Sequence, residues 1–127
     1  MLIELDFSND VPIYMQIRNQ IVLGIADGRL TSGEKLPTIR SLANESGINM
    51  MTANKAYTLL KQEGYIKTDR RSGVMVSEGI GTESSGIITE KTKQSLKLLI
   101  SEAKLRGVSK EDFIALCSQI FSDVGGA

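Results

Sequence analysis

The chain of 127 residues contains no histidine, no tryptophan and a single cysteine, Cys117. The common zinc sites need histidine or several thiolates, and the Cys–His and Ser–His nucleophile pairs need histidine, so neither can be assembled. The sequence also lacks the Gly-x-x-x-x-Gly-Lys-Ser/Thr and Gly-x-Gly-x-x-Gly patterns of phosphate-binding loops. We therefore expect no catalytic residue, no metal site and no cofactor, and we predict that the protein is not an enzyme.

Long apolar runs and secretion signals are missing as well. No run approaches the roughly 18 apolar residues of a membrane-spanning helix. The first residues lack the basic and apolar segments of a signal peptide. Because one cysteine cannot form an internal disulfide, these features together predict a cytoplasmic protein with no membrane partner.

Basic residues are concentrated in the middle of a chain whose formal net charge is zero. Residues 35–76 contain seven basic and three acidic side chains, a net charge of +4, whereas residues 1–34 sum to −3 and residues 77–127 to −1. A module that meets phosphate groups through one of its parts has this distribution. Residues 35–76 are therefore the candidate nucleic-acid-binding segment.

The same segment predicts two short helices that meet at a corner. Thr38 can cap the start of the first helix, and Gly47 ends it. Asn49 offers a second cap only two residues later, and Gly64 ends the second helix, which runs from about residue 50 to 63. A helix pair across so tight a turn is a helix-turn-helix. The apolar positions that would face inward are Ile39, Leu42, Ala43, Ala53, Ala56, Tyr57 and Leu60.

Two β-favouring runs, Tyr65-Ile66 and residues 74–76, follow this helix pair. They flank a polar segment, residues 67–73, whose glycine near the end suits a hairpin longer than a two-residue turn. A hairpin after a helix-turn-helix is a wing. We therefore predict a winged helix-turn-helix domain over residues 1–76.

An amphipathic helix precedes the helix-turn-helix. It is announced by Asp10 and Pro12, ends at Gly28, and presents isoleucines four residues apart that would form the core face. Tyr14 is predicted to belong to the core rather than to a contact surface. Residues 1–9 are expected to form a short strand or an ordered arm. The isoleucines of the core face are Ile13, Ile17, Ile21 and Ile25.

The composition changes after the wing. Residues 77–87 are rich in small polar residues without apolar periodicity, which predicts a linker and a domain boundary. A helix of about 18 residues, or about 27 Å, then begins at Ile88 and ends near Gly107. A second helix follows, with a capping box formed by Ser109 and Asp112.

Residues 88–127 are thus predicted to form a helical hairpin whose apolar faces are too wide to cover each other. The simplest covering surface is the same hairpin of a second chain, in an isologous four-helix contact. Folding back onto the N-terminal domain is the alternative. We expect the hairpin to be too small to enclose an effector pocket of about 300 Å³ or more. The predicted dimerisation residues are Leu96, Leu99, Ile100, Phe113, Leu116, Ile120 and Phe121.

Several motifs of the N-terminal part resemble the DNA-binding domain of the GntR family of bacterial transcription regulators. They are Pro12-Ile-Tyr-x-Gln-Ile, Gly28-Arg-Leu-x-x-Gly33, Leu36-Pro-x-x-Arg40-x-Leu-Ala, Glu63-Gly-Tyr-Ile and a wing that ends in Val76. The run Asn49-x-x-Thr52-x-Asn54-Lys55-Ala-Tyr57 is similar to the YtrA-like branch, whose members append only a short pair of helices for dimerisation.

The resemblance implies a mostly α fold with a small β-hairpin, that is, a winged helix-turn-helix followed by a two-helix dimerisation appendage. It also implies a homodimer that binds double-stranded DNA at an inverted-repeat operator, more often as a repressor. Whether a small-molecule effector exists is unknown. The sequence departs from the wider family in two respects. Met50 and Asn54 stand where many members have arginine, and Arg71-Ser-Gly73 replaces the wing's usual Gly-x-Gly.

If the second helix of the pair enters the major groove, its first turn points at the bases. The candidates for base edges are then Asn49, Met50, Met51, Thr52 and Asn54. An asparagine such as Asn54 can bond bidentately to adenine. For Met50 and Met51, contact with thymine methyl groups and packing under the wing are both open, and packing is the favoured interpretation.

Four basic residues are predicted to contact the DNA backbone or the minor groove. Arg40 is placed to reach a phosphate beside the amides of a helix start. Lys55 has a similar role but could point along either side of its helix. Arg70 and Arg71 occupy the wing tip, from which a guanidinium can enter the minor groove. The remaining candidates are Thr38, Ser72 and Gly73.

These observations predict a sequence-specific transcription regulator. The rival hypothesis is a winged-helix module that binds proteins and no DNA, since a fold does not dictate a function. Such a module would have neutral or acidic charge on its second helix and wing. The net charge of +4 over residues 35–76 argues against it.

Overall fold

The computed structural model describes residues 3–80 and 88–126. The chain divides into two compact units, Met1–Ile80 and Gly81–Ala127, and the division falls inside the predicted linker. Residues 81–87 of that linker lie outside the described residues.

The first helix, α1 (Ile13–Ala26), starts directly after Pro12, whose φ of −56° already suits a helix. Its predicted isoleucine stripe is confirmed, because Ile17 and Ile21 are completely buried and the two outer isoleucines pack against the core. Tyr14 is half-buried beside the stripe, as expected for a residue at the edge of the core.

An extended arm, residues 3–6, lies along α1, so the ordered arm is the correct one of the two expectations. Glutamine side chains of α1 hold it by bonding both backbone groups of alternate residues. Gln20 accepts from the Glu4 N–H at 2.9 Å and donates to the Glu4 carbonyl. Gln16 does the same for Asp6, with both bonds at 2.9 Å. The side-chain amides thus form the hydrogen bonds to backbone N–H and C=O groups that a neighbouring strand would form in a sheet.

The predicted helix-turn-helix is present, and its first helix is α2 (Ile39–Ser46). Thr38 caps it as expected, since its Oγ1 accepts from the Ser41 N–H at 3.1 Å. Gly47 ends the helix with φ of +69°, a left-handed conformation that glycine adopts without strain. Leu42 and Ala43 face the core.

The second helix of the pair is α3 (Met50–Gln62), and it packs against α1, α2 and the wing. Its cap is Asn49, whose Oδ1 accepts from the Thr52 N–H at 2.8 Å. At its far end the Tyr65 N–H donates to the Leu60 carbonyl at 3.0 Å, which leads the chain directly into the wing. The buried side of α3 is the predicted one, namely Ala53, Ala56, Tyr57 and Leu60.

The wing consists of strands β1 (Ile66–Asp69) and β2 (Gly73–Val76), which pair antiparallel from Ile66 opposite Val76 to Asp69 opposite Gly73. A turn longer than two residues is confirmed, but the loop has only the three residues 70–72. Both strands continue into the polar segment, residues 67–73, at either end. Residues 67–69 of β1 are all exposed, so polar residues can continue the strand.

A third segment pairs with the wing on the other side of β2. The Gly33 N–H donates to the Val76 carbonyl at 3.0 Å, the Val76 N–H to the Glu34 carbonyl at 2.9 Å, and the Leu36 N–H to the Val74 carbonyl at 2.8 Å. The segment that connects α1 to α2 is thereby fixed to the wing. The sequence patterns did not predict this pairing.

The core of the N-terminal unit lies between the three helices and the wing. Its largest buried side chain, Tyr57, donates its hydroxyl to the Pro37 carbonyl at 2.8 Å, which ties α3 to the start of α2. Burial raises the pKa of Tyr57 well above its ordinary value. The buried residues are Ile17, Ile21, Leu30, Leu36, Leu42, Ala43, Ala53, Ala56, Tyr57, Leu60, Ile66 and Val76.

The C-terminal unit begins with α4 (Glu90–Leu105), which has 16 residues rather than the expected 18 or so. Ile88 precedes the helix, because Thr89 is the cap and accepts from the Thr92 N–H at 3.2 Å. The helix ends near Gly107, as predicted. The end is a Schellman motif, with both of its 3.0 Å backbone bonds present.

The second C-terminal helix is α5 (Lys110–Asp123), and a short 3-10 turn, Val124–Gly126, follows it. Ser109 caps it by accepting from the Asp112 N–H at 3.1 Å. The return bond of a capping box, from the Ser109 N–H to the Asp112 carboxylate, is absent from the hydrogen bonds of the described residues. The predicted capping box is therefore correct for one of its two bonds.

No residue described in α4 or α5 is buried, and the two helices make few close contacts with each other. A partly open groove of about 370 Å³ lies where they join, lined by Ile100, Ala103, Val108, Phe113 and Ile114 among others. Its volume exceeds the expected limit of about 300 Å³, but it is open rather than enclosed. Every helix in the described part of the chain is too short or too polar to cross a bilayer.

Candidate nucleic-acid interface

The side of α3 opposite the core is open to solvent and carries no carboxylate. Helical periodicity separates it from the buried alanines, Tyr57 and Leu60. We call its exposed residues the open face of α3. They are Met50, Met51, Asn54, Lys55, Thr58, Lys61 and Gln62.

Two shallow concavities lie at this open face. One, of about 510 Å³, lies between α3 and Tyr14 of α1. The other, of about 310 Å³, is lined by Ile39 of α2 together with Met50, Met51 and Asn54. Because Met51 and Asn54 line both, they occupy the centre of the surface.

The favoured interpretation of Met50 and Met51 as packing residues under the wing is wrong. Their side chains are 48% and 83% exposed. The wing follows the C-terminal end of α3, whereas both methionines lie in its first turn, about 18 Å away along the axis at 1.5 Å per residue.

Asn54 presents a free amide at the centre of the open face. It is exposed, and its side chain takes part in no hydrogen bond within residues 3–80. The amide therefore keeps its acceptor and both donors for an external partner, which is the set that adenine N6 and N7 require.

The two capping residues have part of their hydrogen-bonding capacity committed. Asn49 uses Oδ1 to cap α3, so its NH₂ group is what it can offer to a base or a phosphate. Thr38 accepts at the start of α2 but retains its hydroxyl proton. Thr52 is half-buried, and its backbone amide is committed to the Asn49 cap.

Lys55 points toward α1, which resolves the direction that the sequence left open. Its Nζ lies 4.1 Å from the centre of the Tyr14 ring. A cation over an aromatic face is stabilised by about 0.5–1 kcal/mol at an exposed site. Tyr14 thus positions the ammonium beside the larger concavity.

Ion pairing distinguishes the arginines of the N-terminal unit. Arg18 is bound bidentately by Glu63, with both N–O distances at 2.9 Å, and this bond raises its pKa. Arg40, Arg70 and Arg71 form no ion pair with any residue that the structure describes. Their charge remains available for an external anion.

Arg40 lies in the first turn of α2, directly after Ile39, and it is exposed. Because the first amides of a helix carry partial positive charge, an anion at this point would meet both the guanidinium and the helix start. This location agrees with the predicted phosphate contact.

The wing loop carries Arg70 and Arg71 at the outer end of the hairpin, as expected. An Asx turn shapes it, since the Asp69 Oδ1 accepts from the Arg71 N–H at 2.8 Å. Gly73 closes the loop with φ of +79°, the conformation usual after a three-residue hairpin turn. Ser72 between them is half-buried.

Several residues at this surface were not among the predicted contacts, including Lys61 and Gln62 of the open face. Tyr14 and Ile39 were assigned to the core, yet both line the concavities. Thr58 also lines the larger one. Helical spacing carried a signal for Thr58, because it lies four residues after Asn54 on the same face.

The model of the family described as "Bacterial regulatory proteins, gntR family" matches residues 13–76. The HTH-type transcriptional repressor YtrA of Bacillus subtilis (strain 168) is 35% identical over 125 residues, which covers 98% of this chain and 96% of that protein.

Solved structures resemble the chain over most of its length. A protein described as a transcriptional antiterminator from Listeria monocytogenes EGD-e is 27% identical, with a TM-score of 0.81 over 97% of this chain and 92% of that one. YtrA from Sulfolobus acidocaldarius, a GntR-family transcription factor, is 35% identical, with a TM-score of 0.58 over 95% and 97%. The AraR DNA-binding domain in complex with operator ORE1 is 25% identical, with a TM-score of 0.50 over 61% and 94%.

Proposed function

Because the chain belongs to the GntR family of bacterial transcription regulators, we propose that it binds an inverted-repeat operator as a homodimer and represses transcription. One winged helix-turn-helix would occupy each half-site. The observation that carries the proposal is the open face of α3, which has no carboxylate and exposes the free amide of Asn54 at its centre. The AraR complex supports it, because a similar domain was crystallised with operator DNA.

In this proposal α3 lies in the major groove with its first turn toward the bases. Asn54 reads a base edge, and Asn49 offers its NH₂ group nearby. Arg40 and the start of α2 hold a phosphate. Lys55, held over Tyr14, meets a second phosphate on the other side of α3.

The wing completes the proposed contact. Arg70 and Arg71 lie at the outer end of the hairpin and form no ion pair with any described residue. A guanidinium can therefore enter the minor groove next to the major groove that α3 occupies. Gly73 keeps the loop in the required turn. Ser72, next to Arg71 in the loop, is proposed to contact the DNA backbone as well.

Dimerisation is proposed through α4 and α5. Two features support it: these helices bury none of their described residues, and a partly open groove lies where they join. A matching pair of helices from a second chain would cover the apolar faces by twofold symmetry. The two half-sites would then lie one or more helical turns apart, at about 34 Å per turn. The exposed dimerisation residues include Leu96, Leu99, Leu116, Ile120 and Phe121.

Repression is proposed because the Bacillus subtilis relative is named a repressor. A dimer bound across a promoter would exclude polymerase without any catalytic step. A cytoplasmic location is proposed as well, because that is where a chromosomal operator would lie.

The test is selection of bound fragments from a random duplex library, followed by titration of the enriched duplex with the full chain and variants. We expect an inverted repeat. Arg40→Ala should weaken binding to the enriched and to unrelated duplexes by the same factor, whereas Asn54→Ala should weaken the enriched one selectively. Lys93→Ala removes one positive charge from α4 and serves as the control that leaves binding unchanged.

Two outcomes would contradict the proposal. A library without enrichment, together with binding of a partner protein, would favour a winged-helix module that binds no DNA. Equal losses for Arg40→Ala and Asn54→Ala across all duplexes would refute the division into phosphate and base contacts.

A further inference from the structure

Apolar side chains meet at the start of α3 where a DNA-binding surface is ordinarily polar. Ile39, Met50 and Met51 line the concavity of about 310 Å³ together with Asn54. Single exposed apolar residues are common on proteins. Here three of them are contiguous, and they surround an amide whose hydrogen-bonding groups are unused within the described residues.

Ile39 also packs against the core, but the two methionines are not needed to complete it. Met51 is 83% exposed, and the wing follows the C-terminal end of α3, where the Tyr65 N–H donates to the Leu60 carbonyl. Covering an apolar side chain with another apolar group is favourable, so an occupant with apolar groups would gain by binding here.

The surrounding charge selects a polyanion as that occupant. Arg40 directly follows Ile39, Lys55 lies beside Tyr14, and α3 itself contains two lysines and no acidic residue. Among the base edges of the major groove, the C5 methyl group of thymine is the apolar one.

Asn54 restricts the base pair further. It lies three residues after Met51, and residues at this spacing are neighbours on a helix surface. An asparagine amide bonds bidentately to adenine, the partner of thymine. The first turn of α3 contains neither arginine nor lysine, and the two lysines of the helix are Lys55, whose ammonium lies over Tyr14, and Lys61 in the last turn. The usual bidentate contact to guanine is therefore not available from the first turn.

We infer that the first turn of α3 reads A·T base pairs, with Asn54 on adenine and the thymine methyl groups against Met51 and Met50. This inference rests on the proposed function and names the bases that its surface selects. It differs from indirect selection of A·T pairs by groove shape, because it depends on the methyl groups of individual thymines.

The test replaces each thymine of the enriched operator in turn by deoxyuridine, which retains base pairing and lacks only the methyl group. Titration of the full chain should show a loss of about fourfold at one or two thymines of each half-site, which corresponds to about 0.8 kcal/mol at about 1.4 kcal/mol per factor of ten. Replacing the same thymine in both half-sites together should lower the affinity about 16-fold.

The matched protein variant is Met51→Ala. Because Met51 is mostly exposed, the variant should fold and melt like the parent. It should bind the thymine and deoxyuridine operators equally. Leu23→Ala removes a 52% exposed apolar side chain from α1 and should keep the fourfold difference. Met50→Ala provides a second variant, for which a partial loss of the difference is expected.

Equal affinity for every deoxyuridine operator would overturn the inference and leave the proposed function intact. A methyl dependence that persists in both Met51→Ala and Met50→Ala would overturn it as well. If the library yields no enriched fragment, the proposed function itself fails, and this inference fails with it.

Discussion

Phe121 gives the sharpest test of the proposed dimer. Its side chain is 81% exposed in the chain, so its replacement by alanine should cost the folded protomer little. Full burial of a phenylalanine side chain contributes about 1.5–3 kcal/mol relative to an exposed one. A twofold interface contains two copies of Phe121, which gives about 3–6 kcal/mol for the dimer. At about 1.4 kcal/mol per factor of ten, the dissociation constant of Phe121→Ala should rise by about two to four powers of ten.

Sedimentation velocity over a wide concentration range measures this constant directly. Leu105→Ala is the matched control, because Leu105 is 89% exposed and lies nine residues after Leu96, half a turn around α4 from the predicted dimer face. We expect the control to dimerise like the parent. If Phe121→Ala dimerises like the parent, or if both variants dissociate alike, the assignment of the apolar faces of α4 and α5 to a symmetric interface is wrong.

Further predictions concern salt, pH and the wing. Three or four phosphate contacts per protomer should give a slope of about −5 to −7 for log K against log salt in the dimer, and a flat response would remove the electrostatic part of the proposal. Burial raises the pKa of Tyr57 in the folded protein. The neutral Tyr57 hydroxyl therefore contributes its full stabilisation of the fold at pH values below 10.0, the pKa in the unfolded chain, and this stabilisation is lost as the pH rises above 10.0. Urea unfolding should therefore show Tyr57→Phe losing less stability than the parent between about pH 9 and 11, and an equal loss in both would refute this. Gly73→Ala should weaken operator binding while leaving α3 intact, because alanine at φ of +79° is strained by about 1–2 kcal/mol; unchanged binding would show that the wing loop makes no contact.

Local sequence chemistry predicted the helix starts of this fold. Thr38, Asn49 and Ser109 each accept from the backbone amide three residues later, which is an interaction within one turn. The isoleucine stripe of α1 and the buried side of α3 follow from helical periodicity for the same reason. These features depend on residues that are close in the sequence, so they can be predicted from one amino-acid sequence.

Contacts between distant segments were not predictable in this way. The pairing of residues 33–36 with β2 joins a connecting segment to a strand about 40 residues later, and nothing in its composition resembles a strand. The bonds of Gln16 and Gln20 to the N-terminal arm link side chains to backbone across 10 and 16 residues.

At the candidate site, too, local features were predicted and contacts between distant segments were not. The predicted residues of the first turn of α3 are exposed there, apart from half-buried Thr52. The environment of the methionines was misjudged, because it depends on how the wing packs against α3, and both side chains are exposed. The direction of Lys55 depends on Tyr14, 41 positions earlier in the chain.

Amide chemical-shift mapping of the isotope-labelled full chain with its enriched operator tests the central claim most directly. The account predicts shifts at the start of α2, along the first turns of α3 and in the wing loop, and none in the arm at residues 3–6. An unrelated duplex should change the chemical shifts of the phosphate-contacting residues alone. Shifts confined to surfaces away from α3 would contradict the claim that this helix and the wing form the DNA-binding site.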